Sequence, residues 1–223
     1  MKLNLLLYRL ENKIRRFSIE RLMQIISVGM LLVFGADIII ALATDYHGQS
    51  VSAWLVFDRG LILRGQVWRV LSFILVYPSS TNILLTLLAI YFYYWTGSAV
   101  EGYWGKARFN LYYLFGILGT IIAGFIVGHI DNMYLNLSIF LAFAMMFPDT
   151  KVLLLFFIPV KVKWIGIAEG ALMLLLFVIG SWADRAAILA AMLNFMLFFG
   201  YDLINRIKRA YQDYKWRKNN YRY

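Results

Sequence analysis

Few side chains in this sequence could act as a nucleophile, a base or a ligand, and most of those lie inside apolar stretches. Ser138 and His129 form the serine–histidine combination that could attack a carbonyl group, with the imidazole as the general base. His47 is the only other histidine, and there is no cysteine. Because no metal-ligand spacing, phosphate loop or dinucleotide motif occurs, the sequence predicts neither a metal nor a cofactor.

Four further polar side chains interrupt apolar runs, where ionisable groups cost several kcal/mol unless they are neutralised or paired. Asp37 could carry a proton or a cation, or it could reach the outer headgroups or a partner helix. Glu169 lies near the inner end of its run, where it can neutralise nearby Lys and Arg. Asn136 and Asn194 suit interhelical hydrogen bonds, with a ligand role as the alternative. An Asp37–Glu169 aspartyl pair is disfavoured because the two lie towards opposite membrane faces.

The elements that must position these side chains are membrane spans. Hydrophobic residues make up 62% of the chain and charged residues only 15%, which excludes a soluble domain. Apolar runs of about 15 to 22 residues match the thickness of a bilayer. The sequence therefore predicts an all-α integral membrane protein with six transmembrane helices. These are placed at residues 22–43, 83–100, 109–128, 133–147, 164–182 and 186–204.

The predicted organisation has three parts. Residues 1–21 read as an amphipathic helix on the membrane surface, because Leu and Ile recur at helical spacing among Arg and Lys. Residues 22–204 form the six-span membrane domain, whose first loop, rich in Trp and Arg, should lie among the headgroups. Residues 205–223 form a short basic tail, expected to be frayed.

Positive charges predict the orientation. With the N-terminus inside, all but four of the 22 Lys and Arg residues fall on the cytoplasmic side; the exceptions are Arg59, Arg64, Arg69 and Arg185. We therefore expect a multi-pass protein of a bacterial plasma membrane with both termini in the cytoplasm. The basic tail suits anionic lipid better than RNA, so no nucleic-acid partner is expected. Small residues four apart, as at Gly124 and Gly128, favour packing within the chain, and a homo-oligomer is the alternative.

Several motifs occur in a characteristic order. Trp68-Arg69 follows the first span, and Gly97-x-x-x-Glu101-x-x-x-Gly105-x-x-Arg108 joins the second span to the third. Phe147-Pro148 follows the fourth span, and the stretch LLLFFIPVKVKW enters the fifth. In these motifs the chain resembles the rhomboid superfamily, which includes intramembrane proteases and inactive relatives such as the derlins. The resemblance implies a rhomboid-like six-helix bundle.

The chemistry of the active family members is missing here. Their serine position falls near Met133 rather than on Ser138, the sixth span has no histidine, and the second span lacks the His and Asn of the oxyanion side. The resemblance therefore implies a pseudoprotease whose partners are the bilayer and the transmembrane segments of client proteins, in quality control or trafficking. An intramembrane serine protease is the alternative, and a small transporter or channel centred on Asp37 is the third.

The motif residues also carry architectural expectations of their own. Glu101 could pair with Lys106 or Arg108 at the inner interface and fix the turn between two spans. Gly97 and Gly105 permit close packing or a left-handed cap. Trp68 and Arg69 suit an outer interfacial anchor, with the guanidinium on phosphates or on carbonyls.

Overall fold

The computed structural model describes residues 2–44, 50–78, 80, 82–154 and 158–220. Three expectations extend beyond these residues. His47, the centre of the stretch LLLFFIPVKVKW at positions 155–157, and the last three residues of the basic tail lie outside the described part of the chain.

Helices form most of the molecule. In chain order they are α1 (Lys2–Ile14), α2 (Leu22–Ala43), α3 (Val51–Leu55), α4 (Arg59–Leu63), α5 (Arg69–Ser72), α6 (Ile83–Trp104), α7 (Lys106–Val127), α8 (Met133–Met146), α9 (Val162–Ile179) and α10 (Trp182–Asn220). A 3₁₀ turn follows α5 at Phe73–Leu75. Helices α2, α6, α7 and α9 and the segment Trp182–Tyr201 of α10 are long and apolar enough to cross a membrane. The prediction of a multi-pass membrane protein is thereby confirmed at this level.

The fourth predicted span, α8, is a short helix at the centre of the bundle. Its 14 residues extend about 21 Å, less than the roughly 30 Å of a hydrocarbon core. It packs against α6, α9 and α10, and most of its side chains are buried. Because protein rather than lipid surrounds α8, its ends need not reach the headgroups.

Small residues bring three pairs of helices close together. A Cβ at Gly97 of α6 would lie 2.2 Å from Met23 Cγ of α2, so any larger residue there would force Met23 to move. A Cβ at Gly166 of α9 would lie 2.6 Å from Ala144 Cβ of α8, and Gly119 of α7 approaches Ala190 of α10. Close packing of this kind is what holds helices together in lipid.

The all-α expectation needs a correction, because two short antiparallel strand pairs are present. Strand β1 (Phe57–Asp58) pairs with β2 (His129–Ile130), and β3 (Lys151–Leu154) pairs with β4 (Ile158–Lys161). The pair β3–β4 occupies an apolar stretch that is too short to cross a membrane. The two strands pair with each other and so satisfy backbone hydrogen bonds within this stretch.

The terminal segments also differ from expectation. Helix α1 ends at Ile14, earlier than residue 21, and a turn leads to Arg21, whose left-handed backbone (φ 56°) precedes α2. Leu7 of α1 is buried and the helix packs on α7, so protein covers one of its faces. Helix α10 continues to Asn220, so the described part of the basic tail is helical rather than frayed.

Candidate functional site around helix α8

A hydrogen-bonded chain of three residues joins α7, α8 and α10. The Tyr112 hydroxyl donates to the Ser138 carbonyl at 2.8 Å, and the Asn194 amide donates to the Tyr112 carbonyl at 3.2 Å. Asn194 thus makes an interhelical contact. Sequence reasoning missed Tyr112, whose only signal was a tyrosine within an apolar span.

Ser138 does not meet His129 in a catalytic pair. The Ser138 side chain is fully buried, and its hydroxyl donates to the Leu135 carbonyl at 2.8 Å. His129 is exposed in β2, where it lies opposite Asp58. The Ser138–His129 combination considered from the sequence is not formed in this structure: the serine proton is held by a backbone oxygen one turn earlier in its own helix.

Two other side chains near α8 are buried without hydrogen-bond partners. Both amide atoms of Asn136 and both carboxylate oxygens of Glu169 lack a partner among the described residues. Asn136 is 2% exposed and Glu169 is 9% exposed. A buried polar group without a partner costs about 1–3 kcal/mol, and more when it is charged. The two side chains therefore retain unused capacity for hydrogen bonding.

The surroundings of these two side chains place them in the interior of the bundle. Asn136 lies one turn before Phe140, whose ring packs 5.3 Å from that of Phe92 of α6, so Asn136 is on the α6 side of α8. Glu169 lies about 10 Å from the start of α9 and is near enough to Tyr93 and Tyr112 to interact with them electrostatically. The expectation that Glu169 neutralises nearby Lys and Arg is not met among the described residues.

Asp37 is buried, and both of its carboxylate oxygens accept hydrogen bonds. Its carboxylate accepts hydrogen bonds from the backbone N–H groups of Val51 and Ser52 at the start of α3, and from the Tyr77 hydroxyl at 2.9 Å. Burial, followed by this bond to Asp37, raises the pKa of Tyr77. A carboxylate with these donors joins the first loop to α2, and nothing in this geometry favours a transport role.

The side chains of Trp68 and Arg69 form hydrogen bonds to backbone carbonyls within the first loop. The Arg69 side chain is 5% exposed, and its Nη1 donates to the carbonyls of Ala53 and Val56 at 2.9 and 2.8 Å. Trp68 is half exposed and its indole N–H donates to the Trp54 carbonyl. Of the two partners expected for the guanidinium, phosphates and carbonyls, the structure has the carbonyls.

Glu101 has a different partner from the one expected. Its carboxylate accepts hydrogen bonds from the backbone N–H groups of Leu22 at 3.0 Å and Met23 at 3.3 Å, and so caps the N-terminus of α2. Lys106 pairs with Glu20 instead, and this ion pair lowers the pKa of the Glu20 carboxyl. The anticipated Glu101–Lys106 ion pair is therefore wrong.

Arg108, the alternative partner expected for Glu101, stacks over the Trp104 ring with its guanidinium carbon 4.8 Å from the centroid. Gly105 joins α6 to α7 with a positive φ of 80°, a backbone conformation that glycine adopts without strain. The turn between these helices therefore depends on a glycine linker and a cation–π contact rather than on an acidic partner for Arg108.

The described residues contain no group of three His, Asp or Glu side chains that could hold a metal ion. No protein-family model matches the chain, and neither a curated protein nor a solved structure shows significant similarity to it.

Proposed function

We propose that this chain is a rhomboid-like pseudoprotease that binds the transmembrane segments of client membrane proteins, in quality control or trafficking. The proposal includes six spans with both termini in the cytoplasm. The observation that carries it is the pair of buried, unpartnered polar side chains, Asn136 and Glu169.

A transmembrane helix is the partner that such groups suit. Lipid tails offer no hydrogen bonds, so a polar side chain held inside a membrane bundle is best satisfied by a polar group on another helix. An incoming helix that moves α9 away from α8 and carries Asn, Ser or Lys near its middle can supply donors to the Glu169 carboxylate and the Asn136 amide. Binding would then remove the unfavourable energy that these groups carry in the free protein.

Helix α9 offers the most open side of the bundle for such a helix. It is the least buried of the five helices able to span the membrane. Leu172 and Leu174, which follow Glu169 on α9, are each more than half exposed. A client segment lying along α9 would cover this apolar surface and bring its polar side chain to the depth of Glu169.

Hydrolysis is not the favoured activity. A serine hydroxyl needs a general base, and the Ser138 proton is held by the Leu135 carbonyl. A chain whose sequence motifs resemble those of a protease family, with this serine engaged elsewhere, is better suited to holding a membrane segment than to cleaving one.

The test uses Glu169→Leu, which replaces the carboxylate, unpartnered among the described residues, by an apolar side chain of similar length. We expect this variant to be at least as stable as the wild type to denaturation, yet to lose capture of a designed single-pass helix with a central Asn. Capture is measured by a photo-crosslinker at Leu174, with the same crosslinker at the exposed Leu32 of α2 as the control.

Two comparisons complete this experiment. An all-Leu single-pass helix should be captured weakly and equally by the wild type and by Glu169→Leu. Asn194→Leu, which removes the hydrogen bond to Tyr112, should instead lower stability. Full capture of the Asn-bearing helix by Glu169→Leu would contradict the proposal.

A further inference from the structure

A lateral groove of about 1000 Å³ runs between α7 and the N-terminal half of α10. Its walls are apolar and include Ile122, Ile126, Phe177, Leu189 and Leu193. This volume is at the upper end of the roughly 300–1000 Å³ typical of sites for small ligands. The groove can therefore hold a substantial apolar molecule.

One charged side chain, Arg185, lies in the lining of the groove. Its Nη2 donates to the Val178 carbonyl at 2.8 Å, and its guanidinium stacks 5.0 Å from the Trp182 ring centroid. Its Nε is buried and has no hydrogen-bond partner in the described part of the chain. The cation is thus fixed in place with an unused donor.

The adjacent acidic side chain does not neutralise this cation. The Asp184 carboxylate accepts hydrogen bonds from the Ser181 hydroxyl and from the Tyr134 hydroxyl, and the described residues show no salt bridge to Arg185. A groove with apolar walls and an unneutralised guanidinium is complementary to an anion that carries a hydrocarbon chain.

We propose that this groove is a phospholipid-binding site, with the phosphate on Arg185 and an acyl chain along α7 and α10. Arg185 lies one turn from Trp182, which is 78% exposed at the start of α10, and exposed tryptophans mark the headgroup level of a bilayer. The phosphate of a lipid lies at that level. A free phosphate ion would leave the apolar walls unfilled, and an apolar helix would leave the guanidinium without an anion.

The site is separate from the one proposed for client helices. Val178, which holds Arg185, lies nine residues after Glu169 on α9, a distance of about 14 Å along the helix. Loss of lipid binding and loss of client capture can therefore be observed independently of each other.

The test is native mass spectrometry of the delipidated full chain titrated with dioleoylphosphatidylglycerol. We expect one tightly retained lipid, and a loss of affinity of about tenfold to a hundredfold in Arg185→Ala. Dioleoylglycerol, which has the chains without the phosphate, should bind more weakly and equally to both proteins. Arg64→Ala, which removes an exposed cation outside the groove, is the matched control and should bind like the wild type.

Groove-filling variants keep the test independent of Arg185. Ile122→Trp and Leu193→Trp change exposed wall residues, so the protein should still fold, and both lipids should bind more weakly. Leu32→Trp on α2 is the control and should have no effect. Wild-type lipid affinity in Arg185→Ala or in both groove-filling variants overturns the proposal. Displacement of the lipid by millimolar inorganic phosphate, or by an all-Leu transmembrane peptide, overturns the assignment to a phospholipid.

Discussion

Replacing Glu101 by Ala tests how the start of α2 is stabilised. The Glu101 carboxylate is 8% exposed and accepts two hydrogen bonds from the backbone of α2. Without it, two N–H donors at the end of the helix lose their acceptor. Loss of a helix cap typically costs about 0.5–2 kcal/mol. Hydrogen bonds to a charged acceptor are roughly twice as strong as neutral ones, so we expect Glu101→Ala to lower the free energy of unfolding by about 1–4 kcal/mol.

The assay is thermal unfolding of the purified protein in a mild detergent. For a chain of this length each kcal/mol corresponds to about 2–4 °C, so Tm should fall by about 2–16 °C. Glu101→Gln keeps one acceptor oxygen but places an N–H₂ group against the second backbone donor. Its effect should be roughly half that of Glu101→Ala.

Lys106→Ala separates the capping role from an ion pair. Lys106 pairs with the exposed Glu20, so its removal should have only a small effect on stability. The double variant Glu101→Ala/Lys106→Ala should show additive effects, because the two side chains have different partners. A Tm for Glu101→Ala within about 2 °C of the wild type would refute the capping role. Strong coupling in the double variant would restore a direct ion pair between the two residues.

Four further outcomes are expected. Arg69→Lys replaces the several fixed donors of a guanidinium by one ammonium group, so it should lower the free energy of unfolding by about 1–3 kcal/mol. Trp68→Ala should lower it less, because the Trp68 ring is half exposed. A fluorophosphonate probe should not label the protein, and labelling that Ser138→Ala abolishes would restore the protease alternative. Lys106→Met should raise the lowered pKa of Glu20 in an NMR titration. The stability that this ion pair contributes is present above the pKa of Glu20 in the unfolded chain, and it is lost as the pH falls through the pKa of Glu20 in the folded protein. A reporter fused to the C-terminus should behave as cytoplasmic, and an external signal would contradict the six-span orientation.

The membrane-spanning segments were predictable because hydropathy and helix length are local properties. The first span was predicted at residues 22–43, and α2 occupies Leu22–Ala43. Helix α6 was predicted to end at residue 100 but continues to Trp104, and α7 begins at Lys106, earlier than residue 109. The apolar pattern marks only the part of a helix that lies in the hydrocarbon core, whereas the backbone hydrogen bonds of the helix can continue into the headgroup region. Only Gly105, with its positive φ, interrupts it.

The partners within the candidate site were less predictable, because they depend on contacts between distant parts of the chain. Glu101 accepts hydrogen bonds from Leu22 and Met23, which lie 79 and 78 positions earlier in the chain. Lys106 lies only five positions after Glu101, but it pairs with Glu20 instead. The sequence drew attention to Asn136 and Glu169 as polar residues in apolar runs. Whether such residues find partners depends on how each helix is rotated about its axis, which the weakly amphipathic spans do not specify.

Helix α10 joins its membrane-spanning part, Trp182–Tyr201, and the basic tail that follows it in one continuous helix. From Tyr201 to Asn220 it extends without interruption for about 28 Å beyond the apolar window. A tilt of about 10° in the apolar part would therefore move the far end by about 5 Å, because that end lies about 28 Å beyond the apolar part. Any rearrangement of α7, α8 or α9 that tilts α10, whether caused by a bound helix or by a lipid, would thus be transmitted as a lever movement of the basic segment.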